Sequence, residues 1–167
     1  VAAPRGPMLV RPLASILRYV SCADLHALVL DLPPGAGDIA ISLGQHLPNA
    51  AVIVVTTPQP AAASVAERAG TMASMMHQRV VGVIENMSYL QLPGSEERHE
   101  IFGSGGAQRV ATTLSARSGY DAPVLGPIPL GENVRIGGDD GIPTTEERAY
   151  SGAARRPRAV YANHSGR

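Results

Sequence analysis

The stretch Leu28–Asp38 reads LVLDLPPGAGD and joins an apolar, strand-like run to a turn rich in Pro and Gly. An acidic residue that closes such a run lies at the carboxyl edge of a parallel sheet, where α/β proteins bind ligands. Asp31 is therefore a candidate for orienting Mg²⁺, and Gly35 for letting the backbone approach a phosphate. Pro33 and Pro34 stiffen the connection and remove two backbone donors. An alternative stays open, because Asp31 can simply end a strand and the following PPG can simply form a turn.

Outward from this stretch, short apolar runs alternate with longer segments of helical character. Predicted strands are Ala27–Leu32, Ala51–Thr56, Val80–Glu85 and Pro123–Ile128, and predicted helices are Leu9–Tyr19, Asp38–His46 with Asp38 as N-cap, Ala61–His77 and Gly106–Ser118. The first three strands are continuous apolar runs, which is typical of strands buried on both faces of a parallel sheet. The alternation predicts βαβ units in a layered α/β domain.

The composition fits one domain and limits the class of function. The 167 residues have a formal net charge of zero and a hydrophobic fraction of 44%, so the sequence gives no indication of nucleic-acid or acidic-membrane binding. All 14 basic residues are Arg, and a chain without Lys cannot contain a P-loop lysine. The single cysteine, Cys22, excludes an internal disulfide and suits a reducing cytoplasm. No apolar run reaches membrane length.

Two polar segments differ from this pattern. Gln91–Glu100 is rich in charged and turn-forming residues and predicts an exposed loop or a small hairpin. From Thr144 onward the sequence has no apolar period and is rich in Arg. Such a composition cannot bury enough apolar surface to offset the entropy of ordering. We therefore expect residues 1–143 to form one partial domain and residues 144–167 to be a disordered tail.

Several sequence blocks resemble the Mrp family of P-loop ATPases, part of the MinD/ParA-like superfamily. DLPPGAGDIAISL is similar to the family signature DLPPGTGD, with Ala36 where Thr is usual. Five further blocks follow the family order between Arg5 and Pro143: RGPMLVRPLASIL, VIVVTTPQ, VVGVIENMSYL, IFGSGGAQRVA and LGPIPLGENVRIGGDDGIP. The resemblance implies a three-layer P-loop NTPase-like α/β fold of the SIMIBI or MinD type with a mostly parallel sheet. It also implies a cytoplasmic iron–sulfur cluster carrier that binds ATP and Mg²⁺.

The resemblance further implies roles for individual residues. It places Asn86 where a side-chain amide recognises the adenine edge, and an amide offers both the donor and the acceptor that this edge needs. It places Pro129 and Leu130 in the loop that packs against the base, and Asp31 beside the metal ion and the phosphates. Without the resemblance, Asn86 would be interpreted as a turn former and the IPL segment as ordinary packing.

Departures from the family pattern limit the expected activity. No G-x-x-x-x-G-K-[ST] motif occurs, so we expect the family's N-terminal strand and phosphate loop to be missing and the chain not to hydrolyse ATP by itself. No C-x-x-C stands between the ENMSY and IFG blocks, which argues against direct iron–sulfur ligation. Gly131 replaces the Asp that usually follows IPL and predicts a weaker helix cap. An unpaired edge at Ala27–Leu32 predicts a poorly stable or aggregation-prone monomer.

Three functional hypotheses remain open from the residues. The first is an iron–sulfur cluster carrier or assembly factor, homodimeric when intact, that serves iron–sulfur client proteins and is represented here by its C-terminal part. The second is a MinD/ParA-like positioning ATPase, which is less favoured because the Arg-rich tail lacks the apolar stripe of a membrane-binding helix. The third is a non-catalytic remnant that binds nucleotide weakly or not at all, and this hypothesis is favoured for the isolated chain.

Overall fold

Strands and helices alternate along the part of the chain that the computed structural model describes, which comprises residues 15, 27–32, 37–92 and 94–142. The helices are α1 (Gly37–His46), α2 (Pro60–Met75), α3 (Gly106–Ser118) and α4 (Glu132–Asp140), and the strands are β1 (Ala51–Thr56), β2 (Arg79–Glu85), β3 (Leu90–Gln91), β4 (Arg98–His99) and β5 (Val124–Pro127). The predicted helix Leu9–Tyr19, apart from Ser15, and the predicted tail lie outside the described residues.

The main sheet is parallel and has the order β1-β2-β5, with β2 in the centre. α2 connects β1 to β2, and α3 lies in the connection from β2 to β5. Parallel neighbours need such crossovers, because a tight turn cannot return the chain to the same end of the sheet. β3 and β4 form a separate antiparallel ribbon, which confirms the small hairpin predicted within Gln91–Glu100. The α/β class with a parallel sheet is therefore confirmed.

The core lies where α2 and α3 pack on the sheet and on each other. Residues of α2 and α3 at helical spacing face this core: Ala63, Ala66, Ala73, Ala107, Val110, Ala111 and Leu114. They meet Val54 of β1 and Val80 and Val83 of β2. α2 approaches α3 closely because Gly70 has no side chain, and a Cβ there would lie 2.5 Å from Cδ1 of Leu114.

The predicted strand Ala27–Leu32 is wrong in this structure. These residues have no regular secondary structure, and the side chains of Leu28 and Val29 are 52% and 88% exposed. An apolar run forms a strand only when a neighbouring strand accepts and donates its backbone hydrogen bonds. Among the described residues no such neighbour pairs with it, so the local pattern alone was insufficient.

β1 is correctly predicted as a strand, but it is not buried on both faces. Ile53 and Val55 are 39% and 56% exposed, and among the described residues β1 pairs with β2 alone. β2 does match the expectation, since its residues from Val80 to Val83 are all buried. Burial on both faces thus depends on a strand's position in the sheet as well as on its sequence.

The helix ends differ from the predictions in one place and agree in another. Asp38 is the second residue of α1 and not its N-cap, because the helix begins at Gly37. The weaker cap predicted at Gly131 is confirmed: Gly131 precedes α4 in an extended conformation and provides no side-chain hydrogen bond.

No described helix has the length and apolar character needed to cross a membrane.

Candidate functional site

The candidate site lies at the carboxyl edge of the parallel sheet. Asn86 follows β2, Ile128 to Leu130 follow β5, and Thr57 follows β1. The carboxyl ends of parallel strands meet at one edge, and the loops beyond them form the usual ligand crevice of α/β proteins. The predicted residues Asn86, Pro129 and Leu130, which come from separate sequence blocks, therefore follow two adjacent strands of the sheet.

Backbone hydrogen bonds hold these loops side by side. The N–H of Asn86 donates to the Thr56 carbonyl (2.7 Å), that of Ile128 to Glu85 (2.7 Å), that of Ser88 to Ile128 (2.9 Å) and that of Leu130 to Tyr89 (2.7 Å). Leu90 and Leu130 also form an isolated parallel bridge. The structure thus brings Asn86 next to the loop that carries Pro129 and Leu130, as the resemblance implied.

The side chain of Asn86 is half-buried and is oriented by its own turn. Its Oδ1 accepts a hydrogen bond from the Met87 N–H at 2.9 Å. Met87 has a φ of 53°, in the left-handed region that a side chain makes costly. Nonglycine residues held in this region are concentrated at ligand-binding sites. The bond to Met87 leaves one Oδ1 lone pair and both Nδ2 hydrogens for a ligand, and Nδ2 has no partner among the described residues.

The loop after β5 offers a smaller apolar surface than the sequence suggested. Pro129 is buried and Leu130 is half-buried. Leu130 therefore exposes more of its surface at this edge than Pro129 does.

Glu85, which the sequence analysis overlooked, connects this edge to α3. Its Oε2 accepts a hydrogen bond from the Ala107 N–H at 2.8 Å. The Ser88 hydroxyl donates to the Glu85 backbone carbonyl at 2.8 Å and has Oε1 as a second, longer acceptor at 3.1 Å. A carboxylate at a helix N-terminus satisfies a free backbone donor and interacts favourably with the helix dipole. The signal was present, since Glu85 closes an apolar strand by the same rule that singled out Asp31.

α3 is also held by a close backbone approach at its first residue. A Cβ on Gly106 would lie 2.5 Å from the Thr57 carbonyl oxygen and 2.8 Å from that of Pro58. Gly105, just before the helix, has a φ of 81°, in the left-handed region that glycine adopts without a side-chain clash. The segment after β1, the turn after β2 and the start of α3 thus form one connected edge.

Replacing Glu85 by Gln should lower the free energy of unfolding by about 1–2 kcal/mol, because the neutral amide removes the charged acceptor of the Ala107 N–H and its interaction with the α3 dipole. Urea denaturation followed by circular dichroism measures the change. Glu100→Gln is the matched control, because Glu100 is exposed and its replacement should cost less than about 0.5 kcal/mol. Equal effects of the two substitutions would contradict the role given to Glu85.

The hairpin formed by β3 and β4 extends from the same turn. The Arg98 guanidinium lies over the Tyr89 ring, 4.4 Å from its centroid, in a cation–π contact between the two arms of the hairpin. This segment stands where the resemblance would place C-x-x-C, and it contains no Cys. No group of three or more potential metal ligands occurs among the residues that the structure describes.

The structure does not connect the predicted phosphate-side residues to this edge. Asp31 is exposed and forms no hydrogen bond or ion pair within the described part of the chain. Pro33, Pro34 and Gly35 lie outside the described residues. Their assignment therefore stays a prediction from the sequence.

Comparisons with known proteins agree with the architecture of this edge. A family model described as ParA, NUBPL iron-transfer P-loop NTPase, matches residues 2–163 and so runs past Pro143. The iron-sulfur cluster carrier proteins of Mycobacterium leprae (strain TN) and Mycobacterium tuberculosis (strain ATCC 25618 / H37Rv) are 56% and 54% identical over 139 residues. Each alignment covers 83% of this chain, which spans only 36% of the length of either relative.

A solved structure shows the same fold. The nucleotide-binding protein in complex with ADP from Archaeoglobus fulgidus is 29% identical with a TM-score of 0.68, covering 86% of this chain and 56% of that one. The match to the family model covers nearly the whole sequence. This chain therefore belongs to the ParA family of NUBPL-type iron-transfer P-loop NTPases.

Proposed function

We propose that this chain supplies the adenine-recognition edge of a nucleotide-dependent iron–sulfur cluster carrier. The observation that carries the proposal is the set of backbone hydrogen bonds that places Asn86 beside the loop from Ile128 to Leu130. The ADP-bound relative and the relatives named as cluster carriers support the same class of function. The whole protein's activity is part of the proposal, because this chain spans about a third of those carriers.

In this proposal the Asn86 amide recognises the base. The Watson–Crick edge of adenine offers an amino donor and a ring-nitrogen acceptor. The second lone pair of Oδ1 accepts from the amino group, and Nδ2 donates to the ring nitrogen. Guanine presents a carbonyl and an N–H at these positions, so the same amide can pair with it only after rotating. The hydrogen bond from Met87 to Oδ1 opposes that rotation and favours adenine.

The phosphate side of the site is proposed to depend on Asp31. A carboxylate there would orient Mg²⁺, which neutralises charge on the β- and γ-phosphates when the nucleotide is bound. In the proposal, the backbone of Pro33, Pro34 and Gly35 would lie close to the phosphates. Because the 167 residues contain no Lys, they do not supply the lysine of a P-loop, and we propose that by themselves they do not hydrolyse ATP.

The iron–sulfur cluster is treated as cargo in this proposal. Cysteine thiolates are the usual cluster ligands, and Cys22 is the chain's single cysteine. These residues therefore do not provide a C-x-x-C pair for holding a cluster between subunits. We propose that they contribute nucleotide recognition, and that a homodimer of the intact protein delivers clusters to client proteins in the cytoplasm.

Isothermal titration with ATP and ADP in the presence of Mg²⁺ tests the proposal. The 167-residue chain is compared with a version that includes any sequence preceding Val1 in its gene. We expect tight binding and turnover in the extended version, and neither in the 167 residues alone. Asp31→Ala in the extended version should abolish turnover, and Asn86→Ala should weaken ATP binding about tenfold, as expected when hydrogen bonds to a bound base are lost.

Asn49→Ala is the matched control for Asn86→Ala, because Asn49 is exposed in the turn that precedes β1. It should leave nucleotide affinity unchanged. If the extended version binds no nucleotide, the chain is a remnant fold and the proposal is wrong. If it binds ATP and GTP equally well and Asn86→Ala has no effect, the assignment of the adenine edge is wrong.

A further inference from the structure

A second cleft lies at the opposite end of β2, beneath the C-terminal ends of α2 and α3. It is a shallow depression of about 460 Å³ that is open to solvent, and the side chains of His77, Arg79 and Arg117 are exposed in it. Its lining includes His77, Arg79, Arg117 and Tyr120 and contains no Asp or Glu. β2 is seven residues long, so this cleft lies about 20 Å from Asn86 at a rise of about 3.3 Å per residue.

Within the described ranges, no carboxylate forms an ion pair with either arginine of the cleft. The ion pairs in the described part of the chain belong to Arg109 and Arg135, and neither Arg79 nor Arg117 takes part in one. Arg117 donates through Nη1 to the Thr71 hydroxyl at 3.3 Å, which occupies one of its five N–H donors. Most of the donor capacity of both guanidinium groups therefore remains available.

Tyr120 forms a cation–π contact with Arg79, one of these two arginines. The Val80 N–H donates to the Tyr120 hydroxyl oxygen at 2.9 Å, which fixes the ring. The Arg79 guanidinium lies over that ring, 5.2 Å from its centroid. A guanidinium that is already stacked loses little freedom when it binds an anion. The Tyr120 hydroxyl hydrogen has no acceptor among the described residues, so it can donate into the same cleft.

The ends of the two helices do not cancel this positive charge. The carbonyls at the end of α2 accept hydrogen bonds from Met76, His77 and Gln78, and the Gly119 N–H caps α3. Each helix C-terminus contributes about half a negative charge, whereas the two arginines contribute two full positive charges. The net potential of the cleft favours an anion.

We propose that this cleft binds a small phosphate-bearing anion at a site separate from the nucleotide edge. A phosphate group presents several acceptor oxygens in different directions. Arg79 stacks on Tyr120, and Arg117 and His77 come from the ends of the two helices, so their donors arrive from different elements. A guanidinium fork matches phosphate in two parallel hydrogen bonds.

This site is tested by nuclear magnetic resonance. The 15N-labelled 167-residue chain is titrated with inorganic phosphate, and NaCl holds the ionic strength constant. We expect saturable shifts of the Arg79 and Arg117 Nε–H signals and of the Tyr120 amide. Arg79→Gln and Arg117→Gln should each weaken binding about tenfold, the loss expected for a charged hydrogen-bonding partner. Asn86→Ala should leave phosphate binding unchanged, which separates this site from the proposed nucleotide edge.

Arg135→Gln is the control variant, because Arg135 lies on α4 and pairs with Glu132 and Asp139. It should titrate like the unaltered chain. Shifts of equal size at all arginines, or unchanged affinity in Arg79→Gln and Arg117→Gln, would show only general ion screening and overturn the proposal. Citrate serves as a carboxylate comparison, and tighter binding of citrate than of phosphate would also overturn the assignment. If a variant does not fold, as shown by the loss of a dispersed spectrum, the site is tested on the unaltered chain instead. There the phosphate-induced shifts must be confined to residues that line the cleft.

Discussion

Leu114→Ala is expected to lower the free energy of unfolding by about 3–4 kcal/mol. Leu114 is 1% exposed and lies at the contact between α2, α3 and the sheet. Removing its branched end loses the transfer free energy of the buried carbons and leaves a cavity that rigid neighbours fill only in part. Urea denaturation followed by circular dichroism measures the loss, and a large fall in the midpoint is expected.

The same substitution at an exposed leucine is the control. Leu92 is 52% exposed in the hairpin, so Leu92→Ala should change stability by less than about 0.5 kcal/mol. If the two variants were equally stable, the packing of α3 on α2 would not be the main source of stability in this domain.

A double-mutant cycle with Gly70 sharpens this prediction. A Cβ on Gly70 would lie 2.5 Å from Cδ1 and 2.9 Å from Cδ2 of Leu114, so Gly70→Ala alone should cost about 1–3 kcal/mol through overpacking. In the Leu114→Ala background the new methyl enters the vacated space. The double variant should therefore be more stable than the sum of the two losses predicts, by at least about 1 kcal/mol. Strict additivity would contradict the contact.

Gly106→Ala should destabilise the domain by about 2–3 kcal/mol and disturb the candidate site. Its Cβ would meet the carbonyl oxygens of Thr57 and Pro58 at 2.5 and 2.8 Å. These atoms belong to backbone, which cannot move aside as the end of a side chain can, so either α3 or the loop after β1 must shift. Thermal unfolding measures the stability, and the Asn86 and Ala107 amide shifts report the displacement.

Gly138→Ala provides the matched control for this substitution. Gly138 lies inside α4, and a methyl group at this position would have no heavy atom within 4 Å beyond its chain neighbours and the backbone of its own helix. Alanine there should stabilise the helix by about 0.5–1 kcal/mol, since it restricts the unfolded chain. A destabilising Gly138→Ala together with a neutral Gly106→Ala would contradict the packing described for α3.

The sequence predicted those elements whose signals are local. α3 has the predicted bounds, since a glycine-rich turn precedes Gly106 and Gly119 adopts the left-handed conformation that ends the helix. β2 was predicted to within one residue, beginning at Arg79 and not at Val80. Its prediction succeeded because an uninterrupted apolar run is a strong signal for a central strand. Ala27–Leu32 has a similar run, yet it is not a strand here, since pairing depends on residues far away in the sequence.

The candidate site was predicted in part for the same reason. The resemblance implied that Asn86 lies near the loop after β5, and Glu85 and Ser88, on either side of Asn86, form backbone hydrogen bonds with Ile128 of that loop. The position of Glu85 at the end of an apolar strand could have marked it as a candidate, but its contact with Ala107 joins positions 22 residues apart and could not be predicted from either segment alone. The cleft around Arg79 and Arg117 was missed because its residues come from three separate elements.

The central position of β2 sets how the sheet opens in its thermal fluctuations. β1 and β5 lie on either side of it, so its amides lose their acceptors only after a neighbour has separated. Deuterium should therefore enter β1 and β5 early, while Val83, which is fully buried, should exchange only when the whole domain unfolds. The turn that carries Asn86 thus follows the strand that opens last.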